Sequence, residues 1–163
     1  MAIYIYTSPI GEIGIGANDE EITHLYLKND IHSLNYRVCN SEVCITPIIK
    51  EAKVQLDAYF AGKLREFDLP LAPSGTEFRK KIWELLLKIP YGETRTYGQI
   101  AAEAGNPKAS RAVGQANHNN PISIIIPCHR VIGANGKLVG YGGGLDIKRK
   151  LLMLEKENLT NFI

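Results

Sequence analysis

The chain is poor in cysteine: Cys39, Cys44 and Cys128 are the only three among 163 residues. Three cysteines cannot all pair, so a disulfide-built scaffold is excluded. No CxxC occurs. Cys39 and Cys44 stand five apart with His24 and His32 upstream, a spacing that does not suit a zinc site, so no metal is expected. Long apolar runs are also missing: nothing approaches the roughly 20 residues that a membrane helix needs. The start, Met1-Ala2-Ile3-Tyr4-Ile5-Tyr6, has no basic stretch and no extended apolar segment. It reads as a strand rather than an export signal, and a reducing, cytoplasmic setting follows as the expectation. There is no internal repeat and no low-complexity segment. A hydrophobic content of 45% is enough for a real core, in one domain or in two small ones sharing a surface.

Charge is unevenly spread. Residues 1–73 carry six basic and ten acidic side chains, whereas residues 74–163 carry thirteen and seven. A basic second half suits a polyanionic partner such as nucleic acid, although a solvated basic face gives the same count. Residues Leu69–Gly75, with Pro70, Pro73 and Gly75, are the best linker. They divide the chain into 1–73 and 74–163.

The first part opens as a β-meander. Ile3 and Ile5 alternate with tyrosines, Ser8-Pro9-Ile10-Gly11 supplies a turn, Ile13 and Ile15 alternate with glycines, and Ile22–Leu27 follows. Gly11, Gly14 and Gly16 sit between strand signals with no helix after them, which suits hairpin and packing roles rather than a phosphate loop. Thr46-Pro47 then has the chemistry of an N-cap and first helical residue. Ile49, Ala52, Leu56 and Tyr59/Phe60 form the apolar stripe, and Gly62 stops the helix.

The second part reads as helices. Thr76 caps one with the stripe Phe78, Ile82, Leu85/Leu86 and Ile89, ended by Pro90. Thr96-Tyr97-Gly98-Gln99 has capping-box spacing and opens a short helix through Ala104. Gly105-Asn106-Pro107 breaks it and supplies a cap for a further helix, Lys108 to about Asn117. Two short helices about a tight break resemble a helix-turn-helix. The surface of the second is Ser110, Arg111, Ala112, Gly114 and Ala116. Such small residues let a helix approach either a DNA groove or a neighbouring helix closely. Asn119-Asn120-Pro121 ends it, and Asn120 suits a sharp turn held by its amide. Ile122–Ile126 reads as a short buried strand. Gly133-Ala134-Asn135-Gly136 is a hairpin-type turn. Gly140-Tyr141-Gly142-Gly143-Gly144 is a glycine-rich loop without the βαβ context of a dinucleotide site. A last helix spans about Asp146 to Glu157, with Ile147, Leu151 and Leu154 inward and Glu155 at the edge of that face.

Pro127-Cys128-His129-Arg130-Val131 carries the strongest chemical signal. A cysteine attacks as its thiolate, and a free thiol titrates near pH ~8.5, so a neighbour must lower that value. His129 and Arg130 are the two candidates. An ordinary buried core cysteine is the alternative. Adjacent residues on a regular strand face opposite ways, so Cys128 and His129 communicate only through irregular backbone or a bridging water, and Pro127 favours the first.

Taken together, Tyr91 through Ala101, Gly105 through Gly114, Asn120-Pro121, Ile126 through Val131, Gly140 through Leu145 and Lys148 through Glu155 resemble the O6-alkylguanine-DNA alkyltransferases. The likeness is strong over 76–157 and a matter of layout before that. The resemblance implies an α+β protein: a small N-terminal α/β domain with an antiparallel, ribonuclease-H-like sheet, and a mainly helical C-terminal domain with a winged-helix-like helix-turn-helix. It implies irreversible, single-use transfer of an alkyl group from O6 of guanine (and O4 of thymine) in DNA to Cys128. In that scheme His129 is the base, Glu155 orients it, Asn120 holds the turn near the sulfur and Tyr97 donates a proton to the departing base. Arg111 replaces the flipped base in the stack, and Ser110, Ala112, Gly114, Gln115 and Thr96 complete the contact with DNA. Val131, Tyr141, Gly142 and Gly143 line the pocket, and Lys148 assists near O6. Some relatives have serine where Gly142 stands, so a hydroxyl donor is missing here. The implied partner is double-stranded DNA met through its minor groove by a monomer, with no cofactor and no membrane. A non-catalytic lesion sensor or DNA-binding regulator, and a thiol hydrolase, are the competing classes. Retention of Cys128 speaks against the first, and the small-residue basic helix is unexplained by the second.

Overall fold

The computed structural model describes residues 2–31, 45–141 and 144–160. Cys39, Cys44, His32, Gly142 and Gly143, on which some sequence expectations rest, lie outside them. Strands β1 (Ala2–Ser8), β2 (Gly11–Ala17) and β3 (Ile22–Tyr26) form the expected meander, in the order β1-β2-β3. β1 and β2 pair antiparallel from Ala2↔Ala17 to Ser8↔Gly11, and Gly11 takes the positive φ of 102° that the turn requires. A one-turn helix α1 (Lys28–Ile31) follows β3. Helix α2 (Pro47–Phe60) starts as its sequence dictates: Thr46 is the N-cap, accepting from the Ile49 N–H, and proline stands at the first helical position. Ile49, Ala52, Leu56 and Tyr59 are buried with Ile13, Ile15, Ile22 and Leu25 of the sheet.

The free edge of β3 is not left open. Ile22 donates to Pro70 O and accepts from Ala72 N, both at 2.8 Å, while Leu25 N donates to Pro121 O at 2.9 Å. The stretch expected as a linker thus seals a sheet edge. The segment leading to Cys128 is tied to the same edge.

Helix α3 (Glu77–Leu87) is capped by Thr76. Its inward face differs from the expected stripe at one end. Phe78 is 37% exposed, and Trp83 is buried beside Ile82 and Leu86, with its Nε1 donating to Ala116 O at 2.8 Å. Strand β4 (Arg95–Thr96) leads directly into α4 (Tyr97–Glu103) through a complete capping box of Thr96 and Gln99. Helix α5 (Ser110–His118) begins later than the sequence suggests. Asn106 forms a turn with Lys108 and Ala109 instead of capping, and Ala109 is the N-cap, without a side-chain bond. β4 pairs in parallel with β5 (Val131–Ile132), and α6 (Leu145–Thr160) closes the structure. Asn135 and Gly136, with φ of 67° and 76°, make the expected tight turn after β5.

Candidate active site

Ile122–Ile126 is not a strand. Ile126 N–H returns to Ile122 O, Ile125 N–H donates to Ser123 O, and Ile124 sits at φ 72°. A β-branched residue in that region is strained, at a cost of about 1–3 kcal/mol, and persists only where its surroundings over-determine it. Asn120 does so. Its Nδ2 donates to Ile126 O at 2.9 Å and its Oδ1 accepts from Ile122 N at 3.0 Å, so one amide clamps both ends of the turn. A mostly apolar pentapeptide buried at both ends gives no hint of this, because a strand and a buried turn share its composition.

The turn delivers the chain into a short 3-10 segment, Cys128–Arg130, entered through Pro127 at ψ 64°. The irregular backbone expected at Pro127 is present. Asn117 of α5 donates to Cys128 O at 3.2 Å, fixing the segment against that helix. Cys128 is 3% exposed. Burial pushes its thiol up, against the lowering effects of the Asn120 amide and the Lys148 ammonium. The expectation that neighbours depress this thiol is therefore corrected: the resting sulfur is protonated, and an activating base is required. Arg130 does not serve the sulfur, because its guanidinium is turned toward Glu155.

His129 is fully buried. Its Nε2 bonds Glu155 Oε2 at 2.6 Å, and its Nδ1 has no hydrogen-bond partner among the described residues. Glu155, also fully buried, receives Arg130 Nε on Oε1 at 2.8 Å and Arg130 Nη2 on Oε2 at 3.1 Å. It further accepts from Gly92 N at 3.1 Å and from the Tyr59 hydroxyl at 2.6 Å. Burial would raise the Glu155 carboxyl, but its bonds to His129 and Arg130 outweigh burial and hold it well below the usual carboxylate range. Arg130 is a permanent cation, so Glu155 stays ionised whatever the state of His129. Burial lowers the His129 imidazole, with Arg130 and Lys148 adding to the effect. At neutral pH the ring is uncharged. It donates from Nε2 to the carboxylate and leaves a free lone pair on Nδ1, which is what a general base needs.

The other expected residues fall into three groups. Tyr97 opens α4 and donates its hydroxyl to Val139 O at 3.1 Å. The Tyr141 hydroxyl is buried and faces the thiol, and burial keeps both phenols protonated. Lys148 is not an open pocket residue. Its fully buried ammonium bonds Val131 O and Val139 O, tying the loop after β5 back to α6, and burial lowers it to about 8. Val131 is wholly within the core. On α5, Arg111, Ala112 and Gln115 are exposed and Ser110 and Gly114 half-buried, but Ala116 points inward, contrary to expectation. Thr96 is occupied as the cap of α4. Sequence reasoning missed Tyr59 and the real employment of Arg130. Both act through Glu155, which lies far away in sequence and gives no local signal.

A buried cysteine followed directly in the chain by a neutral imidazole held on an ionised carboxylate, and tied by Asn117 to a helix that exposes Arg111, Ala112 and Gln115, defines the class: a cysteine nucleophile arranged to meet a large partner. Comparison with known proteins is specific. Residues 1–73 match the model of the 6-O-methylguanine DNA methyltransferase ribonuclease-like domain, and 77–157 that of the 6-O-methylguanine DNA methyltransferase DNA-binding domain. A methylated-DNA–protein-cysteine methyltransferase of Methanosarcina acetivorans is 56% identical over 155 residues, covering 95% of this chain and 98% of the relative. One from Mycobacterium leprae is 50% identical, covering 93% and 90%. The OGT protein of Mycobacterium tuberculosis, solved in complex with DNA, superposes with a TM-score of 0.87 at 46% identity over the whole of both chains. The chain belongs to the methylated-DNA–protein-cysteine methyltransferase family.

Proposed function

We propose that this protein repairs O6-alkylguanine (and O4-alkylthymine) in DNA by taking the alkyl group onto Cys128 once and irreversibly. The observation that carries the reading is the burial of Cys128, His129 and Glu155, with His129 held on Glu155 and its Nδ1 without a hydrogen-bond partner among the described residues. The thiol proton passes to Nδ1, through a bridging water, as the base-competent imidazole is pinned by Glu155. Sulfur attacks the alkyl carbon, the carbon–O6 bond breaks, and the electron pair leaves with the guanine ring, which takes a proton from Tyr97. The product thioether holds no exchangeable proton, so Cys128 is spent. The lesion lies inside a duplex and is brought out by base flipping, at a cost of a few kcal/mol. In this reading residues 74–163 bind DNA and carry the acceptor, with α4 and α5 as the helix-turn-helix, while 1–73 support them; Tyr141, Gly142 and Gly143 border the base. The protein works in the cytoplasm as a monomer on the minor groove of double-stranded DNA.

The packing around α5 supports close approach to DNA over close approach to a neighbouring helix. A Cβ added at Gly114 would meet only the Tyr97 ring, at 4.0 Å, and one at Gly98 nothing nearer than 3.8 Å. Internal packing demands glycine at neither position. Gly114→Ala is therefore expected to stabilise the free protein by about 0.5–1 kcal/mol in a melting experiment, since glycine weakens helix interiors. The same substitution should weaken duplex binding. A destabilised variant with normal DNA affinity would contradict the groove-facing role.

Arg111→Ala should slow transfer from a methylated duplex at least tenfold more than transfer from free O6-methylguanine base, because only the duplex has a vacated stack to fill. Equal slowing in the two assays would remove that role from Arg111. Affinity should also fall linearly with salt on logarithmic axes, as counterions are released, and change little with sequence.

A lesion sensor is not favoured, since Cys128 is present and the relatives that match nearly end to end are named for methyl transfer. The stoichiometry of methyl loss from DNA tests the reading against its rivals. One equivalent per protein and then a stop supports it. Binding without loss of the methyl group points to the sensor, and steady turnover of esters or peptides points to the hydrolase.

A further inference from the structure

The Tyr59 hydroxyl, contributed by α2 in the first half of the chain, lands 2.6 Å from the same Glu155 oxygen that holds His129. The ring is fully buried and fixed on three sides by Phe60, Phe67 and Tyr91, whose centroids lie 5.5, 5.4 and 6.2 Å away. Oε2 therefore serves three donors: Tyr59 Oη, His129 Nε2 and Arg130 Nη2. Oε1 serves two, Arg130 Nε and Gly92 N. A carboxylate offers about four lone-pair sites in all. The five donors compete, and each that is satisfied draws electron density from the bond to the imidazole.

From this geometry we infer that Tyr59 is a positioning residue of the transfer reaction: it sets the aim of Glu155 and limits how strongly that carboxylate holds a proton on His129. The inference rests on His129 acting as the base for Cys128. It gives residues 1–73 a part in the chemistry beyond support. A weaker hold matters because a histidine that charges too readily loses its lone pair below neutral pH, and the resting thiol needs that lone pair. The groups facing His129 are Glu155 and Lys148 from α6, Arg130 from its own turn, and, across the carboxylate, Tyr59 from α2. Those facing Tyr59 are Glu155, Arg130 and Tyr91. Arg130 is charged throughout. Tyr59 and Tyr91 are held protonated by burial, so neither adds a titration of its own near neutral pH. Lys148 loses its proton near 8, on the alkaline side.

The test uses the full-length protein with two replacements at position 59. Tyr59→Phe keeps the packed ring and removes the donor. Site-specific 3-fluorotyrosine keeps the donor and makes it more acidic, hence a stronger competitor for Oε2. Transfer from a methylated duplex to Cys128 is measured in single turnover from pH 5 to 9, and the His129 imidazole is titrated directly by NMR. With phenylalanine, Oε2 is freed for the imidazole. The acid limb of the rate profile and the NMR titration should then both move upward by about half a pH unit or more. At pH 6 the rate should fall severalfold. With fluorotyrosine both should move down. A Tyr59→Phe protein that melts earlier but keeps the wild-type limb and titration would overturn the inference, leaving Tyr59 a packing residue. Should the phenylalanine variant fail to fold, the fluorinated protein decides: an unmoved limb and titration reject the inference. Absence of any transfer by the wild-type protein would instead reject the repair reading, and the NMR titration separates the two failures.

Discussion

Cys128→Ser should lose alkyl transfer completely while holding methylated duplex with close to wild-type affinity. Burial already keeps the Cys128 thiol above its ordinary titration range. A hydroxyl is far harder still to deprotonate, and oxygen is the poorer nucleophile at a saturated carbon. A neutral imidazole can activate the thiol because the proton it accepts is stabilised by Glu155. It has no comparable leverage on serine. Position 128 is only 3% exposed and is not part of the exposed face of α5, so DNA affinity measured by a binding titration should change little. Loss of both transfer and binding would mean that the cysteine acts as a structural residue. Residual transfer by the serine protein would move the acceptor elsewhere.

Glu155→Ala should be the most destabilising single change in the site. It removes an acceptor of five hydrogen bonds and leaves Arg130, 8% exposed, with one remaining hydrogen-bond acceptor among the described residues, Ile89 O at 2.7 Å, and the Tyr91 ring 5.6 Å from its guanidinium carbon. Stranding a buried charge costs about 3–5 kcal/mol. For a chain of this size that is on the order of 10 °C in Tm. The pH dependence carries the same signature. The folded state holds the Glu155 carboxyl below its ordinary 4.5 and the His129 imidazole below its ordinary 6.5. In both cases the unfolded chain binds the proton first as pH falls, so stability declines below about 6.5 and more steeply below about 4.5. Glu155→Ala should flatten the lower part of that decline. Denaturant melts of both proteins between pH 3 and 8 test this. A parallel decline in the two would remove Glu155 as its source.

What could be read from the sequence was local. Thr46-Pro47, the Thr96–Gln99 capping box and the Asn135-Gly136 turn each satisfy their own neighbours' backbone groups, so their residue types suffice. The pairing of His129 with Glu155 was legible through resemblance, in which order and spacing stand in for distance. The failures were where a residue's partner is remote. Ile124 adopts a positive φ because Asn120 clamps the turn from outside it, and four isoleucines around one serine carry no mark of that. Lys148 looks like a surface lysine on an amphipathic helix until Val131 O and Val139 O are found at its end. Tyr59 belongs to an ordinary apolar stripe, and its hydroxyl gains a role only across 96 residues of chain. Phe78 and Trp83 show a milder form. Either could take the inward position by helical period, and the hydrogen bond from Trp83 to Ala116 O accompanies the burial of the indole.

The central event is covalent, and it can be observed directly. The wild-type protein is incubated with an excess of duplex carrying a single O6-methylguanine, then digested and mapped by peptide mass spectrometry. The predicted result is one methyl group on the peptide containing Cys128, reaching one equivalent per chain and rising no further, with Cys39 and Cys44 unmodified and the guanine restored. An unmodified Cys128 alongside repaired DNA, or a methyl group on another residue, would contradict it.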